Sequence, residues 1–197
     1  MTEFKEFRKI PRLTREMVIT EKIDGTNASI YIGEDGEFLI GSRTKWITPE
    51  ADNHGFARWA VEHKDDLLEL GVGHHFGEFW GPGIQRGYGL KDKTFSLFNV
   101  HKWAKHGKEL KTYTNQDPKI PTKFQVYPPK CCDVVPVLYE GIFDTCVVDS
   151  VLQGLDTNGS TASPGFMRPE GIVIFHTAGN LYFKRTLEND NEPKGKS

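Results

Sequence analysis

Apolar and polar residues alternate through 28–32 and again through 37–40, on either side of Gly33-Glu34-Asp35-Gly36. That is the pattern of an antiparallel β-hairpin, and it commits the start of the chain to antiparallel pairing. Just upstream, residues 17–20 read as a short apolar strand running into Glu21-Lys22-Ile23-Asp24-Gly25, where Asp-Gly signals a turn. Lys22 therefore sits where a strand meets a turn.

Downstream, Asp52 and Asn53 are candidate caps for one helix through Phe56, Trp59, Ala60, Val61, Leu67 and Leu68, stopped by Gly71. Residues 75–80 and 95–100 read as strands separated by the Gly-rich loop 81–89, and 113–130, with four prolines, as an irregular excursion. A strand near 134–139 precedes a second amphipathic helix over 145–155, with Val147, Val148, Val151, Leu152 and Leu155 on one face. After a polar loop at 156–169, residues 171–175 and 181–187 form a last strand pair. No repeat or domain-splitting linker interrupts this order. Antiparallel pairs broken by helices argue for an α+β fold, with residues 1–190 as one domain and 191–197 as a flexible tail.

The chain of 197 residues is long enough to bury a real core, and no stretch of about 18 apolar residues is present to span a bilayer. Residues 1–9 alternate charged groups with Phe4 and Phe7 and lack the apolar run of a secretory signal, so a cytoplasmic location is expected. Cys131, Cys132 and Cys146 show no CxxC spacing, which argues for reduced thiols over a disulfide framework or zinc site. A formal charge of −2 does not recommend a protein that coats nucleic acid, although residues 91–111 hold six lysines and two histidines. A solvated, lysine-rich surface is the plainer reading of that stretch.

Lys-x-Asp-Gly alone is weak, since average residue usage produces it in roughly one chain of this length in twenty. Its companions, in order, change the weight. Glu21-Lys22-Ile23-Asp24-Gly25-Thr26-Asn27 is followed by Gly41-Ser42-Arg43, Phe76-Gly77-Glu78-Phe79-Trp80-Gly81 and Phe95-Ser96-Leu97-Phe98-Asn99-Val100. Glu170-Gly171-Ile172-Val173-Ile174 and Tyr182-Phe183-Lys184-Arg185 complete the set. A lysine amine is protonated near neutral pH, so a nucleophilic lysine needs neighbouring cations or desolvation, and a triphosphate needs Mg²⁺ and basic side chains. Lysine, arginine and carboxylate partners are all present.

Together these pieces resemble the covalent nucleotidyltransferase superfamily of ATP-dependent ligases and mRNA capping enzymes, from about Phe7 to Asp190. Glu21, Asn27 and Asp52-Asn53-His54-Gly55-Phe56 look most like its RNA ligase branch, which includes phage and kinetoplastid RNA-editing ligases. The resemblance implies a nucleotidyltransferase (ATP-grasp-like) domain of two antiparallel sheets with flanking helices and an ATP site in the groove between them. Lys22 would take AMP from ATP, with Mg²⁺ or Mn²⁺, pass it to an RNA 5′-phosphate, and a 3′-hydroxyl would then seal the strand.

By the same resemblance, Glu21 and Asn27 flank the nucleotide, Ile23, Asp24 and Gly25 help to bind it, and Arg43 meets its sugar or phosphate side. Glu78 binds the ribose hydroxyls. Phe95 looks like the ring that stacks on adenine, with Phe98 in the other aromatic slot. Glu170 holds the metal, and Lys184 meets the α-phosphate, with Arg185 beside it. The family's last motif usually has two lysines one residue apart. Here only Lys184 remains, with Tyr182 or Thr186 in the other place, and alternation along a strand would point Arg185 away from Lys184. Asn99 stands where Asp is usual.

The bland readings differ by residue. His74 and His75 are adjacent on a strand and point to opposite faces, which argues against a shared metal. Trp46, Trp59, Trp80 and Trp103 are scattered in spacing, as core or cover aromatics are. The 160–163 stretch reads as a loop. The rival enzymes are a DNA ligase and a GTP-dependent capping guanylyltransferase, and the rival of another class is a non-catalytic nucleotide- or RNA-binding module. ATP and RNA ends, possibly DNA ends, are the expected partners, with no membrane.

Overall fold

The computed structural model describes residues 2–103 and 127–190. The expected tail, most of the 113–130 excursion, and Lys105, His106, Lys108 and Lys111 of the lysine-rich stretch lie outside the described residues. Two sheets account for the strands. One has four, in the order β10 (Leu181–Thr186), β9 (Gly171–His176), β1 (Glu16–Lys22) and β8 (Val137–Ile142). The other has six, in the order β4 (Trp46–Ile47), β3 (Phe38–Ser42), β2 (Thr26–Ile32), β5 (Gly73–Trp80), β6 (Thr94–Leu97) and β7 (Cys132–Val134). Every pairing is antiparallel except β6 with β7.

The strand expected near 134–139 is two strands in different sheets. Pro136 has no N–H to donate to a ladder, and the chain crosses there. Val135 N–H bonds Leu97 on one side, while the Pro136 carbonyl accepts from Glu21 N–H on the other. The parallel β6–β7 pair, absent from the sequence reading, is the last contact before this crossing.

Each sheet has one face on a helix. Ala28, Ile30, Phe79, Phe95 and Leu97 pack with Phe56, Ala60 and Leu67 of α1 (Phe56–Glu62) and α2 (Lys64–Leu68). Met17, Ile19, Ile172 and Ile174 pack with Val148, Leu152 and Leu155 of α3 (Thr145–Asn158). The remaining faces look at each other across a cavity. Period-two alternation thus divides every central strand between core and cavity.

The single helix expected from Phe56 to Leu68 is broken at His63, whose backbone leaves helical values at φ −106° and ψ 20°. The His63 backbone N–H and ring Nδ1 both bond the Trp59 carbonyl, at 3.0 and 2.8 Å, and this local competition ends the first helix. Asp52 does serve the helix start, from outside it. Its carboxylate accepts from the N–H groups of Asn53, Ala57 and Arg58 at 2.7, 2.8 and 3.3 Å, with only 8% of the side chain exposed. Asn53 instead reaches back to the Thr26 hydroxyl at 2.8 Å, tying the helix start to β2.

Asp52→Ala should therefore lower unfolding free energy by about 1–2 kcal/mol, because it leaves these donors without their acceptor. Urea unfolding checks this, and Asp52→Asn should recover most of the loss.

Candidate active site

The cavity between the sheets has a volume of about 800 Å³, within the range of small-molecule sites. Its walls follow from strand register. On the four-stranded side, Val18 pairs with Phe175, Thr20 with Val173 and Lys22 with Gly171, while Lys184 pairs with Val173 and Tyr182 with Phe175. Directly opposed residues share a face, so Val18, Thr20, Lys22, Tyr182 and Lys184 all belong to the cavity side. On the six-stranded side, Asn27 pairs with Glu78 and Ser29 with Phe76.

At the inner end, Lys22 Nζ donates to Glu170 Oε2 at 2.5 Å, with the lysine side chain 21% and the glutamate 5% exposed. Glu78 faces this pair from the other sheet. Its carboxyl is pushed up to about 7, first by burial and further by Glu170 and Asp24, against the opposing pull of Lys22 and the Gly25 N–H. Gly25 donates to Glu78 Oε1 at 3.1 Å. Only glycine fits there, since a Cβ would lie 2.6 Å from the Phe79 carbonyl oxygen and 2.8 Å from Trp80 Cβ. The Asp-Gly turn thus brings backbone close enough to hold Glu78.

Lys22, Ile23, Asn27 and Glu78 line the cavity. Glu170 joins them through Lys22. Lys184 is on the cavity face of β10, opposite Val173, and so are Tyr182 and Thr186 by alternation, the two places where the second lysine of the motif could have stood. Six expected residues sit elsewhere or turn away, among them Asp24, whose carboxylate accepts from Arg86, and Gly25, whose N–H goes to Glu78. Glu21 borders the cavity only as part of its strand, and its carboxylate turns to the other face. There, with the residue 1% exposed, it accepts from Ser160 Oγ at 2.5 Å and from Thr161 and Ala162 N–H at 2.8 Å. It anchors the 160–163 loop. Phe95 is fully buried against Phe56 and Trp59 in the core, because β6 turns that residue towards α1, whereas Phe98 lies on the cavity wall, 36% exposed. Arg185 points away, its guanidinium on Asp149 of α3 at 3.0 Å and on Asp190 at 2.9 Å. Arg43 is exposed in the β3–β4 turn, outside the cavity lining.

Two residues escaped the sequence reading. Arg86, in the Gly-rich loop, donates to Asp24 Oδ2 at 3.0 Å, to the Arg168 carbonyl at 3.0 Å and to Glu188 Oε2 at 3.0 Å. One guanidinium thereby joins the Lys22 turn, the segment leading to Glu170 and the end of β10. Tyr88 is 1% exposed and holds a φ of +51°, rare for a bulky residue. Its hydroxyl accepts from Asp24 N–H at 2.9 Å and its carbonyl from Ser163 Oγ at 2.8 Å. Four positive-φ glycines in the loop, at 81, 83, 87 and 89, were the available signal of a tightly built segment.

Among the described residues no cluster of three or more His, Cys, Asp or Glu is arranged to cage a metal, and His75 bonds the Gly71 carbonyl at 2.7 Å. The donor set suits an ion of the Mg²⁺ type, which takes one or two carboxylates and completes its shell with water and substrate phosphates.

The RNA ligase family model matches residues 15–186, which is most of the chain and every element above. The chain belongs to the RNA ligase family. Among solved structures it is similar to an apo mutant of Naegleria gruberi RNA ligase, with 19% identity over 88% of this chain and 50% of that one and a TM-score of 0.58. A mutant of Naegleria gruberi RNA ligase with ATP and Mn matches at 17% identity, 89% and 51% coverage and a TM-score of 0.58. A mutant with AMP and Mn matches at 18%, 88%, 50% and 0.57. These likenesses establish the fold as that of an RNA ligase nucleotidyltransferase domain. The chain spans about half the length of these structures.

Two outcomes follow. A carboxyl that titrates near 7 in the folded chain, instead of at its ordinary 4.5, keeps a proton that the unfolded chain loses. Stability therefore falls as pH rises between those values. Glu78→Gln, a mimic of the neutral acid, should gain about 1–3 kcal/mol on the parent between about pH 5 and about pH 8, and a pH-independent offset in urea unfolding would contradict this. Arg86→Ala should cost about 1–3 kcal/mol by leaving Asp24, Glu188 and the Arg168 carbonyl without their donor. Arg86→Lys should recover little in the same measurement, since an ammonium does not reproduce the guanidinium fork.

Proposed function

We propose that this RNA ligase family chain carries out nucleotidyl transfer from ATP, with Lys22 as the nucleophile, in the service of RNA strand joining. The observation that carries the reading is the placement of Lys22 Nζ at the inner end of a nucleotide-sized cavity, held by Glu170 at 2.5 Å and faced by Glu78. A strand end directs the amine into the cavity, and the family supplies the chemistry.

The Lys22 nitrogen bonds the α-phosphorus of ATP, the bond from that phosphorus to the bridging oxygen breaks, and pyrophosphate leaves with that oxygen. The ammonium must first lose a proton, and Glu170 Oε2 is its nearest acceptor. Glu78, with Gly25 N–H fixing one oxygen, is positioned to accept from the ribose hydroxyls. Phe98 takes over from Phe95 the role of stacking on adenine. Stacking suits any base, so the choice of adenine needs hydrogen bonds as well. Lys184 meets the α-phosphate from the cavity face of β10, while Glu21, Arg86 and Tyr88 hold the frame.

Mg²⁺ or Mn²⁺ would be held by Glu170 together with the triphosphate, and when bound it neutralises charge developing on the phosphates. The ATP and Mn found with the Naegleria gruberi RNA ligase mutants support that pairing. AMP would pass to an RNA 5′-phosphate, and a 3′-hydroxyl would then displace it. The cytoplasmic setting belongs to the same proposal, with three free cysteines in keeping with it and no helix among the described residues long and apolar enough to cross a membrane.

Incubation with α-labelled ATP and Mg²⁺, followed by denaturing gel and intact mass, should show an acid-labile AMP adduct that Lys22→Ala lacks. Labelling of the mutant at the parent's level would overturn the assignment, and a GMP adduct from GTP would move the chain to capping chemistry.

A further inference from the structure

The cavity face of the six-stranded sheet carries four aromatic rings in one contiguous row. Tyr31 and His74 lie 4.5 Å apart, Trp46 and His74 6.1 Å apart with planes 19° from parallel, and His74 and Phe76 5.8 Å apart with planes 7° from parallel. Register explains the row. The pairings Ser29 with Phe76, Tyr31 with His74 and Gly41 with Trp46 put these side chains on one side of β2, β4 and β5. Trp46 is 50% and Phe76 53% exposed, unlike Trp80 and Trp103, which are buried.

His74 and Phe76 also line the cavity that holds Lys22. The row therefore begins inside that cavity, steps about 7 Å along β5 from Phe76 to His74, and then crosses the sheet to Tyr31 on β2 and Trp46 on β4. At its outer side the β3–β4 turn presents Arg43 and Lys45, both exposed, next to Trp46. Three near-parallel exposed rings, with half-buried Tyr31 tilted 41° against His74 and cations at the border, match an unpaired polynucleotide, whose bases offer flat faces and whose backbone offers phosphates. A duplex keeps its base faces covered by their neighbours and fits this row poorly. Glu34 and Asp35, exposed in the turn after Tyr31, repel phosphate at the far edge.

We propose that Phe76, His74, Tyr31 and Trp46 form a stacking platform for the unpaired bases of the RNA strand whose end is presented to Lys22. The proposal rests on the RNA-joining reading of the site. It gives Arg43, which lies outside the cavity lining, a phosphate of the strand in place of the nucleotide.

The test is anisotropy titration of the full chain with a short, fluorescently labelled, 5′-phosphorylated single-stranded RNA. A strand of equal length with abasic sites in place of its internal bases is titrated in parallel, and lysyl-AMP formation without RNA is measured on each variant. Trp46→Ala and Tyr31→Ala should each weaken binding of the normal strand about tenfold, while Trp46→Phe, which keeps a ring, stays close to the parent. The abasic strand should bind the parent weakly and lose little more on Trp46→Ala. Adduct formation by Trp46→Ala should match the parent, which shows that the fold and ATP site are intact. Parent-like RNA binding by Trp46→Ala, an equal loss for normal and abasic strands, or equal competition by a blunt duplex would each overturn the platform. A parent that forms no adduct but shows the ring-dependent binding would overturn the ligase reading and leave the platform standing.

Discussion

Strand β1 carries two obligations that the period of a β-strand allows it to meet together. Met17 and Ile19 are buried on the α3 side with Glu21, while Val18, Thr20 and Lys22 face the cavity. A slip of one residue would exchange the two sets, placing an ammonium in the apolar layer and two large aliphatic side chains in the cavity. Pairing on both edges, to β8 and β9, removes that freedom. Glu21 adds a lock, because its carboxylate fits only where the 160–163 loop offers one hydroxyl and two N–H groups. Glu21 thus fixes the direction of Lys22 while its own carboxylate turns away from the cavity.

Charge at the inner end is balanced closely. A carboxylate at 2.5 Å from Lys22 is not strong evidence of stability, since two partly dehydrated charges give back in desolvation much of what their attraction supplies. Its consequence is electrostatic. Burial raises the Glu78 carboxyl most, Lys22 and the Gly25 N–H pull it down, and Glu170 and Asp24 add smaller upward pushes, so that it changes charge near neutral pH. A group in that condition donates or accepts according to what is bound beside it.

Much of this arrangement was legible in the chain because it is local. Asp-Gly after a strand, the 33–36 turn and the alternation of residues 181–187 are short-range signals, and they placed Lys22, the hairpin and the last strand pair. Alternation also warned that Arg185 would oppose Lys184, and its guanidinium does turn to Asp149. What stayed hidden depends on distant partners. Phe95 and Phe98 occupy neighbouring slots of one motif, and only the position of α1 decides that Phe95 is core and Phe98 cavity wall. Arg86 looked like one charge in a glycine-rich loop, yet its acceptors lie 62, 82 and 102 residues away in sequence. The break at His63 and the crossing at Pro136 each turn on a single hydrogen-bonding detail that hydrophobic periodicity does not encode.

Those distant contacts share a purpose that the local motifs do not reveal. The two sheets meet around Ile23, Trp80, Tyr88 and Val135, a small apolar cluster beside the cavity. Several polar ties across this junction end on segments flanking Lys22, Glu170 or Glu78. Tyr88 and Arg86 hold Asp24 next to Lys22, Arg86 holds the Arg168 carbonyl shortly before Glu170, and Gly25 holds Glu78. The spacing between Lys22, Glu170 and Glu78 is therefore set by backbone and buried partners as well as by the Lys22–Glu170 contact. Such a frame would keep the amine and its facing carboxyls in position if, as proposed, a triphosphate opens the ion pair between Lys22 and Glu170. That is the property a site needs if its strongest internal contact is also the one that substrate must break.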